Sequence, residues 1–136
     1  MDPIEISGAK TVTDVAMIIN SKSPNNLAVL MFTASWCGPC KRVKSEIYGK
    51  FENNKYVTAG NGLASIYGKS VTFYLIDVEK NPDLLTDKNF SSVQTAPTFF
   101  FAKLVNEGAT KSLQINKNIV KGGDKNNLVD MIKKCM

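Results

Sequence analysis

The sequence predicts an α/β fold in which a mixed β-sheet carries helices on its faces. Two apolar runs of strand length, LAVLMFT at 27–33 and VTFYLIDV at 71–78, indicate buried strands. Segments with apolar residues at helical spacing lie between and after these runs, so strands and helices alternate along the chain. A chain of 136 residues has the size of one ordinary domain, and we expect residues 1–136 to form a single domain.

The composition argues against several classes of protein. With 43% hydrophobic and 21% charged residues, the chain resembles an ordinary globular protein. The longest apolar runs, at 27–32 and 99–102, are far shorter than the about 20 residues that cross a bilayer, so we expect no membrane partner. The N-terminal MDPIEISGAK lacks the basic start and apolar run of a secretory signal, which predicts a cytoplasmic protein. The 17 lysines and arginines are scattered, so no nucleic-acid partner is expected despite the net charge of +5.

The hydrophobic pattern also predicts the order of the elements. Those of the first half are an edge strand at 3–7, a helix at 11–20, the strand at 27–33, a helix from Cys37 and a short helical piece at 63–68. Val43, Ile47 and Phe51 are expected to face inward from the second helix. The polar segment at 53–62 indicates a loop. Those of the second half are the strand at 71–78, a helix from Asn81 through Phe90, a strand at 98–103, an antiparallel partner ending near Val120, and a last helix after Asp124.

The segment TASWCGPCKR at 33–42 contains two of the three cysteines, Cys37 and Cys40, in C-x-x-C spacing. Such a pair can form a metal clip, a structural disulfide or a reactive dithiol. A zinc site needs four ligands, but the chain has no histidine and only one further thiol, Cys135. In a chain without an export signal, a cysteine pair is more often catalytic or metal-binding than structural. The pattern therefore favours a reactive dithiol, and we expect no metal.

The predicted junction between a strand and a helix favours reactivity of Cys37. Unpaired backbone N–H groups and the positive end of the helix dipole stabilise a thiolate, so the pKa of Cys37 should lie below the free-cysteine value of about 8.5. Lys41, one turn further on, adds a positive charge. Cys40 is expected to lie deeper and less exposed, which predicts that Cys37 is the nucleophile and Cys40 the resolving thiol.

Residues around the cysteines suggest a surface for an approaching polypeptide. Gly38 has no side chain to obstruct it, and Pro39 restricts the geometry of the pair. Trp36 can be a core aromatic residue, but beside an exposed thiol it more plausibly belongs to an apolar docking surface. Pro97, directly before a predicted strand, is either a strand-start residue or a cis-proline that exposes neighbouring backbone groups.

Four features together resemble the thioredoxin family: FTASWCGPCK at 32–41, DVEKNP after a buried strand, APTF at 96–99, and a glycine before an amphipathic C-terminal helix. The resemblance implies the thioredoxin fold, with a central mixed five-stranded sheet flanked by about four helices. It implies that Pro97 is in cis and faces the dithiol, that a substrate strand pairs with the backbone beside Ala96, and that Gly122 borders the groove. It also implies that no cofactor is bound and that NADPH supplies electrons through a thioredoxin reductase.

Two residues depart from the family pattern behind the dithiol. The family usually has a buried aspartate five residues before the tryptophan and a lysine beside it in the central strand, where this chain has Met31 and Leu75. Proton transfer from Cys40 must then use water, Lys41 or Asp77, which shares a strand face with Leu75. We therefore expect slower or more pH-sensitive thiol exchange than in an ordinary thioredoxin.

These features predict a protein-disulfide reductase that acts on disulfide-containing proteins as a monomer and takes electrons from a thioredoxin reductase-like donor. Two alternatives remain open. The first is an oxidase or shuttle in a disulfide-forming relay. The second is a binding subunit that keeps the thioredoxin fold while its catalysis is incidental.

Three further segments allow alternative interpretations. The Gly-Gly-Asp sequence at 122–124 is favoured as a helix N-cap, although glutaredoxins hold glutathione with a similar segment. The stretch at 53–62 looks like an insertion relative to the family, and a tolerated surface loop is favoured over a partner contact. Cys135 is expected to be a non-catalytic thiol, with regulatory oxidation or an intermolecular disulfide as the alternative.

Overall fold

The computed structural model describes residues 3–57 and 62–136. Within these ranges the strands are β1 (Ile4–Ile6), β2 (Leu27–Thr33), β3 (Lys50–Glu52), β4 (Lys55–Val57), β5 (Val71–Asp77), β6 (Thr98–Glu107), β7 (Thr110–Ile115) and β8 (Val120–Lys121). The α-helices are α1 (Val12–Lys22), α2 (Gly38–Tyr48), α3 (Leu63–Ile66) and α4 (Lys125–Cys135), and a 3-10 helix spans Pro82–Thr86. The predicted α/β architecture with about four helices is confirmed.

The main sheet has the strand order β1-β5-β2-β6-β7. β8 pairs directly with β6, along the same edge of β6 as β7. It is mixed, because β5 runs parallel to β1 and β2 whereas β6 runs antiparallel to β2, β7 and β8. All seven residues of β2 are buried, which fits its position at the centre of the sheet. Since β2 leads directly into the C-x-x-C segment, the best-buried strand supports the cysteines.

The sheet separates two buried clusters, because alternate residues of a strand point to opposite faces. One cluster contains Met31 of β2, both Cys37 and Cys40, and buried residues of α2, α3 and α4; we call it the dithiol-side cluster. The other contains Phe32 of β2 and buried residues of β1, α1 and the 3-10 helix region; we call it the far-side cluster. The two helical layers therefore have separate apolar contacts on opposite faces.

Local signals determine where α1 begins. Thr11 Oγ1 accepts a hydrogen bond from the Asp14 backbone N–H, and Asp14 Oδ2 accepts one from the Thr11 N–H, both at 3.3 Å. This capping box satisfies two N–H groups that the helix itself leaves unpaired.

In the described ranges, no helix has the length and apolarity needed to cross a bilayer.

The helix that carries the cysteines ends earlier than predicted. Gly49 follows α2 with a φ of 94°, a left-handed conformation that suits glycine and ends the helix. Phe51 therefore lies in β3 instead of on the helix, and its side chain is 55% exposed. The prediction that Phe51 faces inward is wrong.

A small β-hairpin replaces part of the predicted loop. β3 and β4 pair in antiparallel register around Asn53 and Asn54, both of which have positive φ. Asparagine tolerates this conformation, and a two-residue turn with two positive φ values matches the twist of a hairpin. The prediction of a loop over 53–62 is therefore wrong at 55–57, which form β4, while 58–61 lie outside the described residues.

The second half of the chain differs from the prediction at two places. The expected helix from Asn81 through Phe90 is reduced to a short 3-10 helix followed by turns. The expected partner strand ending near Val120 is divided into β7 and β8, which both pair with β6. Leu84 and Phe90 are nonetheless buried, so the apolar pattern identified core residues although their local conformation is not α-helical.

Asn81 joins the ends of two neighbouring strands. Its Oδ1 accepts from the Ala9 N–H at 2.9 Å, and its Nδ2 donates to the Ile6 carbonyl at 2.8 Å and the Asp77 carbonyl at 2.9 Å. We expect Asn81→Ala to lower the free energy of unfolding by about 2–3 kcal/mol, because it leaves buried backbone groups unpaired. Urea denaturation measures this loss, and Asn127→Ala, at an exposed position of α4, is the control, with a loss under about 0.5 kcal/mol. Equal losses in the two variants would contradict the role of Asn81.

Candidate active site

Cys37 lies immediately before α2, as predicted, and forms a disulfide with Cys40 in the first turn of the helix. The two Cα atoms are 5.3 Å apart. Cys37 Sγ also accepts a hydrogen bond from the Cys40 backbone N–H at 3.1 Å, so the sulfur occupies the position of a helix N-cap. A thiolate at this position would be stabilised by that N–H group and by the helix dipole.

The burial of the pair differs from the prediction in one respect. Cys40 is less exposed than Cys37, as expected, but Cys37 is itself only 3% exposed and Cys40 only 1%. The expectation of an exposed thiol at Cys37 is wrong for this disulfide state, because both sulfurs lie among the residues of the dithiol-side cluster. Trp36, in contrast, is 71% exposed, which excludes its interpretation as a core aromatic residue.

The strands beneath the cysteines are apolar at the positions singled out in the sequence. Met31 of β2 pairs in register with Leu75 of β5, which confirms that the two residues are neighbours. Both are buried in the dithiol-side cluster with the cysteines. The buried surroundings of Cys40 therefore have no carboxylate at Met31 and no ammonium at Leu75.

The segment before β6 contributes the opposite side of the site. The Ala96–Pro97 peptide bond is cis, as the resemblance implied. Ala96 is partly buried and packs against the dithiol-side cluster, to which both cysteines belong. The Gly122 N–H donates to the Pro97 carbonyl at 2.8 Å, and the pairing of β8 with β6 begins next to it. The fold thus brings Ala96, Pro97 and Gly122 together.

Gly123 and Asp124 pack the start of α4 against α2. Asp124 Oδ1 accepts from the backbone N–H groups of Asn126 and Asn127, so Asp124 is the N-cap, as predicted. A Cβ atom on Gly123 would lie 2.6 Å from Arg42 Nη2 and 3.0 Å from a Val43 methyl group. In the glutaredoxin interpretation, the N-terminus of α4 would hold glutathione. In this structure the Asp124 carboxylate already accepts hydrogen bonds from that N-terminus.

The two residues expected to support the chemistry lie at the edge of the site. Lys41 is exposed on α2, and Asp77 is partly buried at the end of β5, where its Oδ1 accepts from the Glu79 N–H at 2.8 Å. Sequence reasoning missed the polar contact between Ser35 Oγ and Glu79 Oε1 at 2.6 Å. It also missed the contact between Arg42 Nη2 and the Gly123 carbonyl at 2.8 Å. No sequence signal predicts such pairs, because their members lie 44 and 81 residues apart.

Cys135 lies at the end of α4, partly buried, and accepts a hydrogen bond from Asn116 Nδ2 at 3.6 Å. Burial raises the pKa of its thiol, and the Lys103 ammonium opposes this only in part. A raised pKa lowers the thiolate fraction, which is consistent with the expectation of a non-catalytic thiol.

In the described residues, no three histidine, cysteine, aspartate or glutamate side chains form a group that could hold a metal.

Gly122 has a φ of +93°, a conformation that side-chain-bearing residues rarely adopt. We expect Gly122→Ala to lower the free energy of unfolding by about 1–2 kcal/mol because of this backbone strain. Gly38→Ala is the matched control, since Gly38 has ordinary φ and open space around a new Cβ, and its expected loss is below about 0.5 kcal/mol. Thermal denaturation of both variants checks the difference, and a Gly122→Ala protein as stable as the parent would refute it.

Comparison with known proteins identifies the family. The thioredoxin family model matches residues 10–134. The chain belongs to the thioredoxin family. A C-x-x-C disulfide at a helix N-terminus in the thioredoxin fold is the site of a thiol-disulfide oxidoreductase.

Individual relatives agree with this assignment. The chain is 32% identical over 110 residues to a thioredoxin of Geodia cydonium, covering 81% of this chain and 80% of that one. It is 35% identical over 83 residues to the TPR repeat-containing thioredoxin TDX of Arabidopsis thaliana, which covers 61% of this chain but only 17% of that longer protein. The solved structure of thioredoxin NaTrxh from Nicotiana alata has a TM-score of 0.63 at 27% identity, covering 99% of this chain and 96% of that one.

Proposed function

We propose that this thioredoxin-family chain reduces disulfide bonds in proteins, with Cys37 as the nucleophile and Cys40 as the resolving thiol. The observation that carries the proposal is the position of Cys37 Sγ, which accepts the Cys40 N–H at the start of α2. That environment favours a thiolate in the reduced protein. Cys40 follows within the first turn of α2 and forms a disulfide with Cys37 in this structure, as the resolving role requires.

The reaction consists of two exchange steps. The Cys37 thiolate attacks one sulfur of the substrate disulfide, forms a mixed disulfide, and releases the other substrate sulfur as a thiolate that takes up a proton. Cys40 loses its proton and attacks Cys37 Sγ, which forms the Cys37–Cys40 disulfide and releases the second substrate thiolate. The substrate gains two electrons and two protons, and the dithiol loses them.

The substrate segment docks on the surface around the disulfide. We assign this surface to Trp36, Gly38, Pro39, Ala96, Pro97 and Gly122. The exposed Trp36 ring supplies apolar contact area, and a Cβ at Gly38 would meet no atom within 4 Å, so this side is open. The backbone beside Ala96 provides hydrogen-bonding groups for an extended segment, in the manner of strand addition to a sheet edge.

The oxidised pair must be reduced again for turnover. As is usual in the family, the proposed donor is NADPH through a thioredoxin reductase, without a cofactor bound to this chain. A dithiol cycle of this kind operates where thiols are kept reduced, as in the cytoplasm, which is the proposed compartment. The proposed functional form is a monomer. Lys41 and Asp77 are supporting residues at the edge of the site.

Reduction of insulin disulfides tests the proposal. We expect the protein to accelerate insulin precipitation in the presence of dithiothreitol, and to do so with NADPH and a thioredoxin reductase. The double variant Cys37→Ser/Cys40→Ser is the control, and its rate should equal that of dithiothreitol alone. A folded protein with titratable thiols and no acceleration would refute the reductase function.

A further inference from the structure

Lys44 occupies an unusual place on α2. It lies one helical turn after Cys40 and one turn before Tyr48, so the three side chains share a face of the helix. Cys40 is 1% and Tyr48 3% exposed, whereas Lys44 is half-buried between them. Lysine is seldom placed toward a core unless it is paired. Within the described ranges, the ion pairs closer than 4 Å join Arg42 to Glu46 and Lys50 to Glu52, and Lys44 takes part in neither.

An open cavity of about 390 Å³ lies beside Lys44, and its lining includes Glu5, Tyr56 and Leu75. Leu75 also belongs to the dithiol-side cluster that contains both cysteines. One residue of the cavity wall, Leu75, is therefore part of the same buried cluster as the two cysteines. Lys44 stands on the rim of this cavity, on the same helix face as Cys40.

The charges that face Lys44 come from each element around it. Burial lowers the pKa of its ammonium, and the carboxylates of Asp77 on β5 and Glu5 on β1 oppose that change. Two further lysines, Lys41 on α2 and Lys80 after β5, act in the same direction as burial. Tyr56 on β4 faces the same cavity, and burial raises the pKa of its phenol, so it contributes no charge at neutral pH.

A positive charge near Cys40 favours the loss of its proton, which the resolving step requires. Cys40 must lose its proton before it attacks the mixed disulfide, but its surroundings include Met31 and Leu75 and exclude water almost completely. An apolar environment disfavours a thiolate, and a positive charge nearby favours it. Side chains one helical turn apart have Cβ atoms only about 5–6 Å from each other, which places the Lys44 stem within range.

We propose that Lys44 is a positioning residue of the dithiol, whose ammonium stabilises the thiolate of Cys40 during the resolving step. The inference rests on the proposed function only in that the resolving step belongs to that function. Asp77, the carboxylate with the larger effect on Lys44, moderates the ammonium rather than taking the proton itself. The effect is electrostatic, so Lys44 makes no bond to the reacting sulfurs.

A direct titration of Cys40 tests the proposal. In a Cys37→Ser/Cys135→Ser background Cys40 is the only thiol, and its thiolate absorbance in the ultraviolet can be followed against pH after subtraction of tyrosinate. Adding Lys44→Met should raise the midpoint by roughly one pH unit, the effect of one partly buried charge at this range. Lys44→Gln, which removes the same charge with a polar side chain, should raise the midpoint in the same way.

Two controls separate this effect from structure and from net charge. Lys44→Arg keeps the charge and should preserve the midpoint, whereas Lys133→Met, at an exposed position of α4, changes the net charge equally and should leave it unchanged. An unchanged midpoint in Lys44→Met, or an equal rise in Lys133→Met, overturns the proposal. If Lys44→Met fails to fold by circular dichroism, the Lys44→Gln midpoint decides, and an unchanged midpoint there overturns the proposal.

The titration is independent of the proposed function. A protein that shows the predicted midpoints but does not reduce insulin keeps the role of Lys44 and loses the reductase activity. A protein that reduces insulin with identical midpoints in all variants keeps the activity and loses the role of Lys44.

Discussion

We expect a Cys40→Ser variant to accumulate covalent complexes with disulfide-containing proteins and a Cys37→Ser variant to form none. In Cys40→Ser the Cys37 thiolate still attacks, but no resolving thiol remains to release the mixed disulfide. In Cys37→Ser the thiol at the helix N-cap is lost and the remaining Cys40 lies inside the first turn of α2, so we expect it not to attack an external disulfide. Both variants should lose insulin reduction by more than about 100-fold, because no other group can take over the covalent step.

Electrophoresis without reductant, after incubation with an oxidised protein substrate, measures the trapped complexes. The bands should disappear on addition of dithiothreitol. Cys135→Ser should be introduced into both variants, so that the free thiol of α4 cannot contribute adducts. Trapping by Cys37→Ser at the level of Cys40→Ser would reverse the assigned roles, and trapping by neither would refute the exchange mechanism.

Phe90→Ala should lower the free energy of unfolding by about 3–5 kcal/mol, a large share of the 5–15 kcal/mol typical of a domain. Phe90 is fully buried in the far-side cluster, although it lies in a turn and not in a helix or strand. Its ring centroid lies 5.3 Å from that of Phe32 and 5.2 Å from that of Phe100. The substitution therefore leaves a cavity in the far-side cluster, on the face of the sheet that β2 and β6 form there.

Urea denaturation with a common slope measures this loss as a shift of the midpoint. Phe51→Ala is the matched control, since Phe51 is mostly exposed on β3 and contacts the Tyr56 ring at a centroid distance of 4.8 Å. Its loss should stay below about 1.5 kcal/mol, the upper range for an aromatic pair. Similar losses for Phe90→Ala and Phe51→Ala would show that the aromatic contacts of Phe90 are not a major source of stability.

The parts of the fold that the sequence predicts well are those governed by local patterns. β2 and β5 were identified because a continuous apolar run of strand length has few other solutions in a globular chain. The start of α4 followed from Asp124, whose side chain caps the helix through neighbouring N–H groups. The junction at Cys37 followed from an apolar strand and then the helical spacing of Val43 and Ile47.

Features that depend on distant contacts could not be predicted in this way. Asn81 was expected only at a helix start, yet its side chain bonds to Ile6 and Ala9, more than 70 residues away. β3 and β4 have three residues each and β8 has two, which is too short for a strand periodicity to be recognised. The position of Lys44 likewise depends on how α2 packs on β5, which helical spacing alone leaves undetermined.

The separation of the core by the sheet has a consequence for how this protein can vary. Cys37 and Cys40 belong to one cluster and Phe90 to the other, and β2 contributes different side chains to each. Substitutions without shared partners usually have additive effects. Changes on the far side should therefore alter stability while the thiol chemistry is preserved. The redox properties of the dithiol and the robustness of the fold can then be adjusted independently, one on each face of the sheet.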